Sequence, residues 1–531
     1  MQSPSTPGRQ IARAAGTVAA AMVISQIIGL LRGILVYQTF GTTASLDSFN
    51  AANRVTEVLF NLIAGGALGS AFIPTFTGLL AHTERERAWK LASSVANLLL
   101  IVLTAISALA AIFAPQIVRY GLFVLAPDLS VGQEVLTVQL LRIMLPSVVI
   151  FGLSGLVMGI LNAHQIFWIP AIAPAMYSLG MIAGVLFLPD SWGIYRLAWG
   201  SLIGAFFHLT VQIPRLIQLR GKYSRMLGLH MAEVREVARL MGPRIFGVAV
   251  VQINFIVNTI IALSLPEGSA SAVTLAFSLM LMPQAAIAQS LAIAAMPTFS
   301  AQAALGKLDE LRTSLAGALR GALLLALPAA VGLILLREPL IRFLYERGEF
   351  TARSTQMVAW ALLWYASGLV AHSVVEIVSR AFYALHNTRT PVMVGAVAMG
   401  LNLAFSFLFT AWFDRIGWLP HGGLALANAL ATTLEMVALL VLMRRRLKGL
   451  ESRIIAKGLL RAALAAGGMA VFLLTWLRLL PNQPVWLITA GGIAFGGAIY
   501  ALLLLVMREP EILRVAGMAR NFLIRPRREE P

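Results

Sequence analysis

Apolar windows of about 20 residues, the length that crosses a bilayer as an α-helix, recur along the whole chain. They lie near 15–40, 49–79, 89–113, 136–162, 167–188, 195–218, 237–264, 270–302, 311–336, 355–385, 391–413, 422–443, 455–478 and 484–506. The pattern predicts an all-α polytopic membrane protein of about fourteen transmembrane helices joined by short polar loops. The first window follows Arg9 and Arg13 and so imitates a secretory leader. It runs through Arg32 to about Phe40 without a convincing cleavage pattern, too long for a leader core of roughly 7–15 residues, and is read as the first span.

The windows also repeat. AFIPTFT at Ala71–Thr77 and AAMPTFS at Ala294–Ser300 are 223 residues apart, and His164 and Pro170 recur as His386 and Pro391 at nearly the same offset. That distance corresponds to six spans, an even number, so both copies enter the membrane in the same direction. Two parallel six-helix repeats are a transporter architecture. The expected organisation is an N-terminal lobe at 1–222, a C-terminal lobe at 223–447, and two added helices with a basic tail at 448–531.

Charge orients the spans. Basic residues cluster after even-numbered spans: Arg85, Arg87 and Lys90; Arg215, Arg220, Lys222 and Arg225; Arg444, Arg445, Arg446, Lys448 and Arg453. The positive-inside rule makes those loops cytoplasmic and puts both termini in the cytoplasm. It also accounts for the net charge of +18 better than nucleic-acid binding does. With 59% hydrophobic and 12% charged residues, the chain is far more apolar than a soluble domain, whose apolar share is about 45–50%. The chain has no cysteine, which excludes disulfides, thiolate metal sites and cysteine nucleophiles. There is no Walker-type GxxxxGK[ST], since Gly306-Lys307 is followed by Leu308, and no H-E-x-x-H. The expectation is a transporter, not an enzyme, with no metal or cofactor and with coupling to sodium, protons or the membrane potential. The tail alternates Ile512, Leu513, Val515 and Phe522 with Arg514, Arg520, Arg525, Arg527 and Arg528; a headgroup-binding amphipathic segment and a solvated terminus both fit.

Ionisable residues inside spans usually face a cavity or a partner, because each costs about 2.5–3.5 kcal/mol on insertion scales. Arg32 is in the first span; Asp47, Arg54, Glu57 and Asn61 follow along the second. Together they offer a cationic, hydrogen-bonding wall suited to phosphate oxygens; the alternative is that Arg54 and Glu57 neutralise each other while Arg32 snorkels. Further along, Asn258, Asn402 and Ser406 are amide and hydroxyl candidates for ion binding or gating. Glu376 and Arg380 read as an i, i+4 ion pair. Glu435 has no partner near it in sequence and is the better proton or cation candidate.

The strings GILNAHQIFWIPAIAP (159–174), RLMGPRIFGVAVVQINFIVNTI (239–260), LYERGEFT (344–351) and RAFYALHNTRTPV (380–392) resemble the MurJ/MviN family of lipid II flippases, within the multidrug/oligosaccharidyl-lipid/polysaccharide exporter superfamily. The resemblance implies two lobes around a cationic cavity and alternating access. It also implies export of an undecaprenyl-diphosphate-linked cell-wall precursor, lipid II or a similar glycan, across the bacterial cytoplasmic membrane, with membrane lipids and cell-wall synthesis enzymes as further partners. The chain departs from the family pattern at its arginines. Arg32 matches and Arg54 falls on a basic position, but Gln26, Phe60, Asn61 and Ser278 stand where arginines are customary, and Gly65 replaces a glutamate. The positions matching the family's sodium ligands, Asn258, Asn402 and Ser406, lack carboxylates. Two other functions fit the sequence: an exporter of another polyprenyl-linked glycan or an amphiphilic cation, and a non-transporting scaffold for wall synthesis.

Overall fold

The computed structural model describes residues 7–63, 66–126 and 131–511; the basic tail beyond 511 lies outside them. The described residues are almost entirely helical. In chain order the long helices are α1 (Pro7–Phe40), α2 (Ala44–Ile63), α3 (Gly66–Ala81), α4 (Arg85–Ile112), α5 (Val131–Ala163), α6 (Trp168–Phe187), α7 (Tyr195–Thr210) and α8 (Ala232–Leu263). They continue as α9 (Ser269–Gln284), α10 (Ser290–Ala304), α11 (Leu308–Tyr345), α12 (Ala352–Ser367), α13 (Leu369–Ala384), α14 (Arg389–Arg415), α15 (His421–Arg446), α16 (Ser452–Leu479) and α17 (Val485–Val506). Among the described residues twelve helices are long and apolar enough to cross a membrane, or thirteen when α12 and α13, bent by 44° at their junction, count as one. The remaining expected span is present as α2 and α3. Asp47, Arg54 and Glu57 give α2 three charged residues, so it does not read as a span by composition.

The second repeat copy carries a wide π-turn, Ala285–Gln289, between α9 and α10. Pro283 stands just before that turn; lacking an N–H and crowding the carbonyl four residues back, it favours a local widening of the helix. Pro74 in α3 and Pro297 in α10 are a matched pair across the repeat.

Contacts group the chain into two units, Met1–Ser271 with Arg347–Phe350, and Ala272–Glu346 with Thr351–Pro531. In the first unit Phe72, Phe76, Leu91, Leu103 and Val148 form a buried core among α3, α4 and α5, with α8 contributing Val234 and Val237. α6 and α7 cross where side chains are absent: a Cβ on Gly180 would overlap Gly204, and one on Gly184 would meet the Gly200 backbone. This is the small-residue contact that lets apolar helices associate without a hydrophobic driving force between them. In the second unit Leu315, Leu319, Ile377, Phe382 and Met443 are buried among α11, α13 and α15.

The last two helices are held to α11 by charge as well as packing. Glu509, just beyond α17, is fully buried at 0% side-chain exposure. It accepts hydrogen bonds from Arg320 of α11 (Nε to Oε1, 2.7 Å) and from Arg461 of α16 (Nη1 to Oε2, 2.8 Å). Burial by itself would raise the Glu509 carboxyl; the hydrogen bonds from Arg461, Glu511 and Arg320 outweigh it and hold the group below its usual range. A depressed folded-state pKa contributes stability that is present above the unfolded carboxylate range and is lost as pH falls through the folded value. Thermal unfolding in detergent should therefore show Glu509→Gln melting below wild type at neutral pH, with the gap closing below about pH 4; equal melting temperatures at neutral pH would mean the clasp contributes nothing.

Candidate functional site

The second helix carries the chemistry on one face. Asp47, Asn50, Arg54, Glu57 and Asn61 fall at i, i+3, i+7, i+10 and i+14 along α2, the spacing of a single helical stripe. The structure divides this stripe into a buried end and an open end.

At the buried end, Asp47 lies in the first turn of α2 and is 4% exposed. Its Oδ2 accepts the Gly268 N–H at 2.7 Å, and its Oδ1 accepts both the Ser271 N–H at 2.7 Å and the Ser271 hydroxyl at 2.6 Å. Those donors come from the start of α9, whose first N–H groups have no intrahelical acceptor. One carboxylate thus stands at the N-termini of two helices, where the positive ends of both dipoles favour it. Asn50 donates to Ser271 Oγ at 3.0 Å, the Tyr37 hydroxyl donates to the Ser271 carbonyl at 3.0 Å, and the Ala44 N–H donates to Glu267 at 2.9 Å. Gly268 has φ +88°, and a Cβ there would run into the Thr42 carbonyl, so the approach requires glycine. The segment Arg347–Phe350 closes the same corner. The Glu349 N–H donates to the Gln38 carbonyl at 2.9 Å, Phe350 meets Tyr37 edge to face, and Gly348 at φ +59° would push a Cβ to 2.5 Å from that carbonyl.

At the open end, Arg54 pairs with Glu57 (Nη1 to Oε2, 2.6 Å) at 24% and 45% side-chain exposure, and its guanidinium lies 5.2 Å from the Phe255 ring of α8. Arg32 of α1 makes no ion pair among the described residues; its Nη1 is 3.7 Å from Met181 Sδ on α6. Tyr177, also on α6, is hydrogen-bonded to Ser201 and lies within electrostatic range of both Arg32 and Glu57. Arg32, Arg54 and Glu57 therefore belong to one neighbourhood, with one formal positive charge left over. Asn61 continues the stripe. Phe60, at one of the customary arginine positions, instead packs on Phe151 (5.5 Å), which packs on Tyr177 (5.2 Å). Ser278, at another, donates to the Thr274 carbonyl.

The other candidates are carried by α8, α13, α14 and α15. Asn258 sits on α8 in the first unit and donates to Asn254. Asn402 and Ser406 are buried with Thr410 along α14 in the second unit. Glu376 and Arg380 form the expected pair (2.8 Å) on α13, and Glu435 lies on α15. No cluster of three or more His, Cys, Asp or Glu able to hold a metal occurs among the described residues. The aromatic partners Tyr177 and Phe255 and the donors Gly268 and Ser271 are not evident from the sequence; the one signal for the donors is the repeat offset of 223, which carries Asp47 to Ala270.

A family model described as the lipid II flippase MurJ matches residues 36–488. The chain belongs to the MurJ family. Among relatives of this family, the probable lipid II flippase MurJ of Bdellovibrio bacteriovorus is 29% identical over 88% of both chains. The lipid II flippase MurJ of Burkholderia cenocepacia is 30% identical over 82% of this chain and 84% of its own. Among solved structures, a lipid II flippase MurJ in an inward closed conformation superposes with a TM-score of 0.79 at 25% identity, covering 93% of this chain and 99% of that one. A MATE family multidrug transporter in an inward-facing conformation shares the fold with a TM-score of 0.69 at 16% identity. This MurJ-family chain is a multi-pass membrane transporter, not an enzyme.

The Asp47 arrangement makes a direct prediction. Asp47→Asn replaces one acceptor oxygen by an amide that faces an N–H donor, and a lost hydrogen bond to a charged acceptor costs about 1.5–3 kcal/mol. The variant should melt several degrees lower and be cut faster by protease in the segment 264–271; unchanged melting and cleavage would mean the contact is not stabilising.

Proposed function

We propose that the chain flips lipid II, or a closely similar undecaprenyl-diphosphate-linked glycan, from the inner to the outer leaflet of the bacterial cytoplasmic membrane. The observation that carries this reading, beyond family membership, is Arg32: a cation in a membrane-spanning helix with no counter-ion among the described residues, close to the Arg54–Glu57 pair. A diphosphate supplies the missing anion. It binds Arg32 directly and competes with Glu57 for Arg54, whose planar fork matches phosphate oxygens, while Asn61 offers an amide one step further along the stripe. In this reading the termini and the Arg444–Arg446 loop face the cytoplasm.

Alternating access between lobes at 1–222 and 223–447, with 448–531 appended, is the proposed motion. Asp47 acts as a latch in that motion, not as a ligand: its donors at Gly268 and Ser271 release when the outer side opens. A transmembrane gradient supplies the energy, and cell-wall synthesis enzymes are the natural recipients of the product. The substitution of customary arginines by Gln26, Phe60 and Ser278, with Phe60 packed on Phe151, favours as a second reading a polyprenyl-linked glycan of lower headgroup charge.

The test is rescue of a cell depleted of its own lipid II flippase. Wild type should restore growth, and the double variant Arg32→Ala, Arg54→Ala should not, at equal membrane levels. Full rescue by the double variant would remove both arginines from transport. Failure of well-expressed wild type, together with no movement of labelled lipid II in vesicles, would favour the second reading.

A further inference from the structure

The second unit contains a line of polar side chains that substrate binding does not use. On α13, His372, Glu376, Arg380 and Tyr383 fall at i, i+4, i+8 and i+11; on α15, Asn428, Thr432 and Glu435 fall at i, i+4 and i+7. Each set is one helical stripe, and the two meet. His372 Nε2 lies 3.0 Å from Asn428 Oδ1 and 3.4 Å from Thr432 Oγ1. Glu376 Oε1 accepts both Nη2 (2.8 Å) and Nε (3.3 Å) of Arg380. Tyr383 lies within electrostatic range of Arg380, Glu376 and Glu435 together. The seam extends inward from the loop-facing ends of both helices: Glu435 is nine residues, about 13 Å, before Arg444, and His372 is twelve residues, about 18 Å, before Ala384.

Glu376 and Arg380 cancel, so the uncompensated charge on this seam is that of Glu435, which makes no hydrogen bond or ion pair among the described residues. Tyr383 of α13 is the titratable group in electrostatic range of it, as it is of Glu376 and Arg380 on its own helix. From α14, Gly395 comes close: a Cβ added there would sit 3.4 Å from Glu435 Oε1. A metal cation needs several oxygen ligands around one point, and no group of three or more His, Cys, Asp or Glu able to hold one occurs among the described residues; a proton needs only the carboxylate. Chains of Asp, Glu and His across membrane helices are the usual means of moving protons.

We propose that the α13/α15 seam is a proton file that couples transport to the proton gradient, with the Glu435 carboxyl as its exchanging group. A proton from water adds to a carboxylate oxygen, turning O⁻ into OH and making the seam neutral; its departure restores the charge, and no other bond changes. His372, with the nitrogen facing Asn428 carrying its hydrogen, leaves the other ring nitrogen to accept a proton further in. The coupling role rests on the reading of the chain as a flippase, whereas the protonation of Glu435 does not.

Infrared difference spectra of the purified full chain in nanodiscs, between acidic and alkaline buffer, should show a protonated-carboxyl band that is lost in Glu435→Gln, retained in Glu376→Gln and shifted in Glu435→Asp. In proteoliposomes carrying labelled lipid II, an imposed pH gradient should change the wild-type flipping rate and leave that of Glu435→Gln unaffected. A band that survives in Glu435→Gln, or no such band in wild type, overturns the proton site. A band with flipping that ignores the gradient overturns the coupling. A band with no flipping at all counts against the flippase reading and leaves the proton site standing.

Discussion

A single buried carboxylate fixes the geometry of the first unit. Asp47 sits in the opening turn of α2 and accepts three hydrogen bonds from Gly268 and Ser271 at the start of α9. An ion removed from water is tolerated only when its lone pairs are met and its charge is balanced, and among the described residues no cation does the balancing. Backbone N–H groups at two helix ends do so instead, together with one hydroxyl. This sets where α2 begins and therefore which way its stripe points; Arg54, Glu57 and Asn61 follow from that register. Gly268, Gly348 and the Tyr37 hydroxyl are the small parts that let the backbone come close enough.

The same logic separates the charges that hold the fold from those available for work. Glu509 is enclosed by Arg320 and Arg461, and Asp47 by its donors; both are spent on structure. Arg32 has no such partner, and the Arg54–Glu57 pair is exposed enough for a ligand to displace one member. Glu435 is the counterpart of Arg32 in the second unit: a lone charge on a membrane helix, of opposite sign. A lone cation waits for an anion that arrives with substrate, and a lone carboxylate is satisfied by a proton. Those are the two things a gradient-driven flippase of an anionic lipid has to bind.

Most of the fold was legible because burial in lipid demands long apolar runs, and the ends of α5, α6, α14 and α17 fall within a few residues of the windows read from the sequence. The second span was legible at 49–79 as well, although its working residues dilute the signal that marks a span. Pairs one turn apart, such as Arg54 with Glu57 and Glu376 with Arg380, could be read from spacing alone. Contacts made through the fold could not: Asp47 meets donors 221 and 224 residues away, Arg320 meets Glu509 across 189, and His372 meets Asn428 across 56. The repeat offset of 223 came close to the first of these, because it maps α2 onto α9 and so brings the two helix starts into correspondence. It gave no sign that one would cap the other.

If Asp47 is a latch, its corner has to open during transport. The chain has no native cysteine, so Asn50→Cys with Ser271→Cys, at positions whose side chains are in hydrogen-bonding contact at 3.0 Å, places a reversible cross-link across the latch that keeps the Asp47 carboxylate and both backbone N–H donors and gives up the Ser271 hydroxyl. The decisive measurement is flipping of labelled lipid II by that double variant in proteoliposomes, oxidised and then reduced. The oxidised protein should be inactive and reduction should restore the rate; undiminished flipping by fully cross-linked protein would contradict a latch at Asp47.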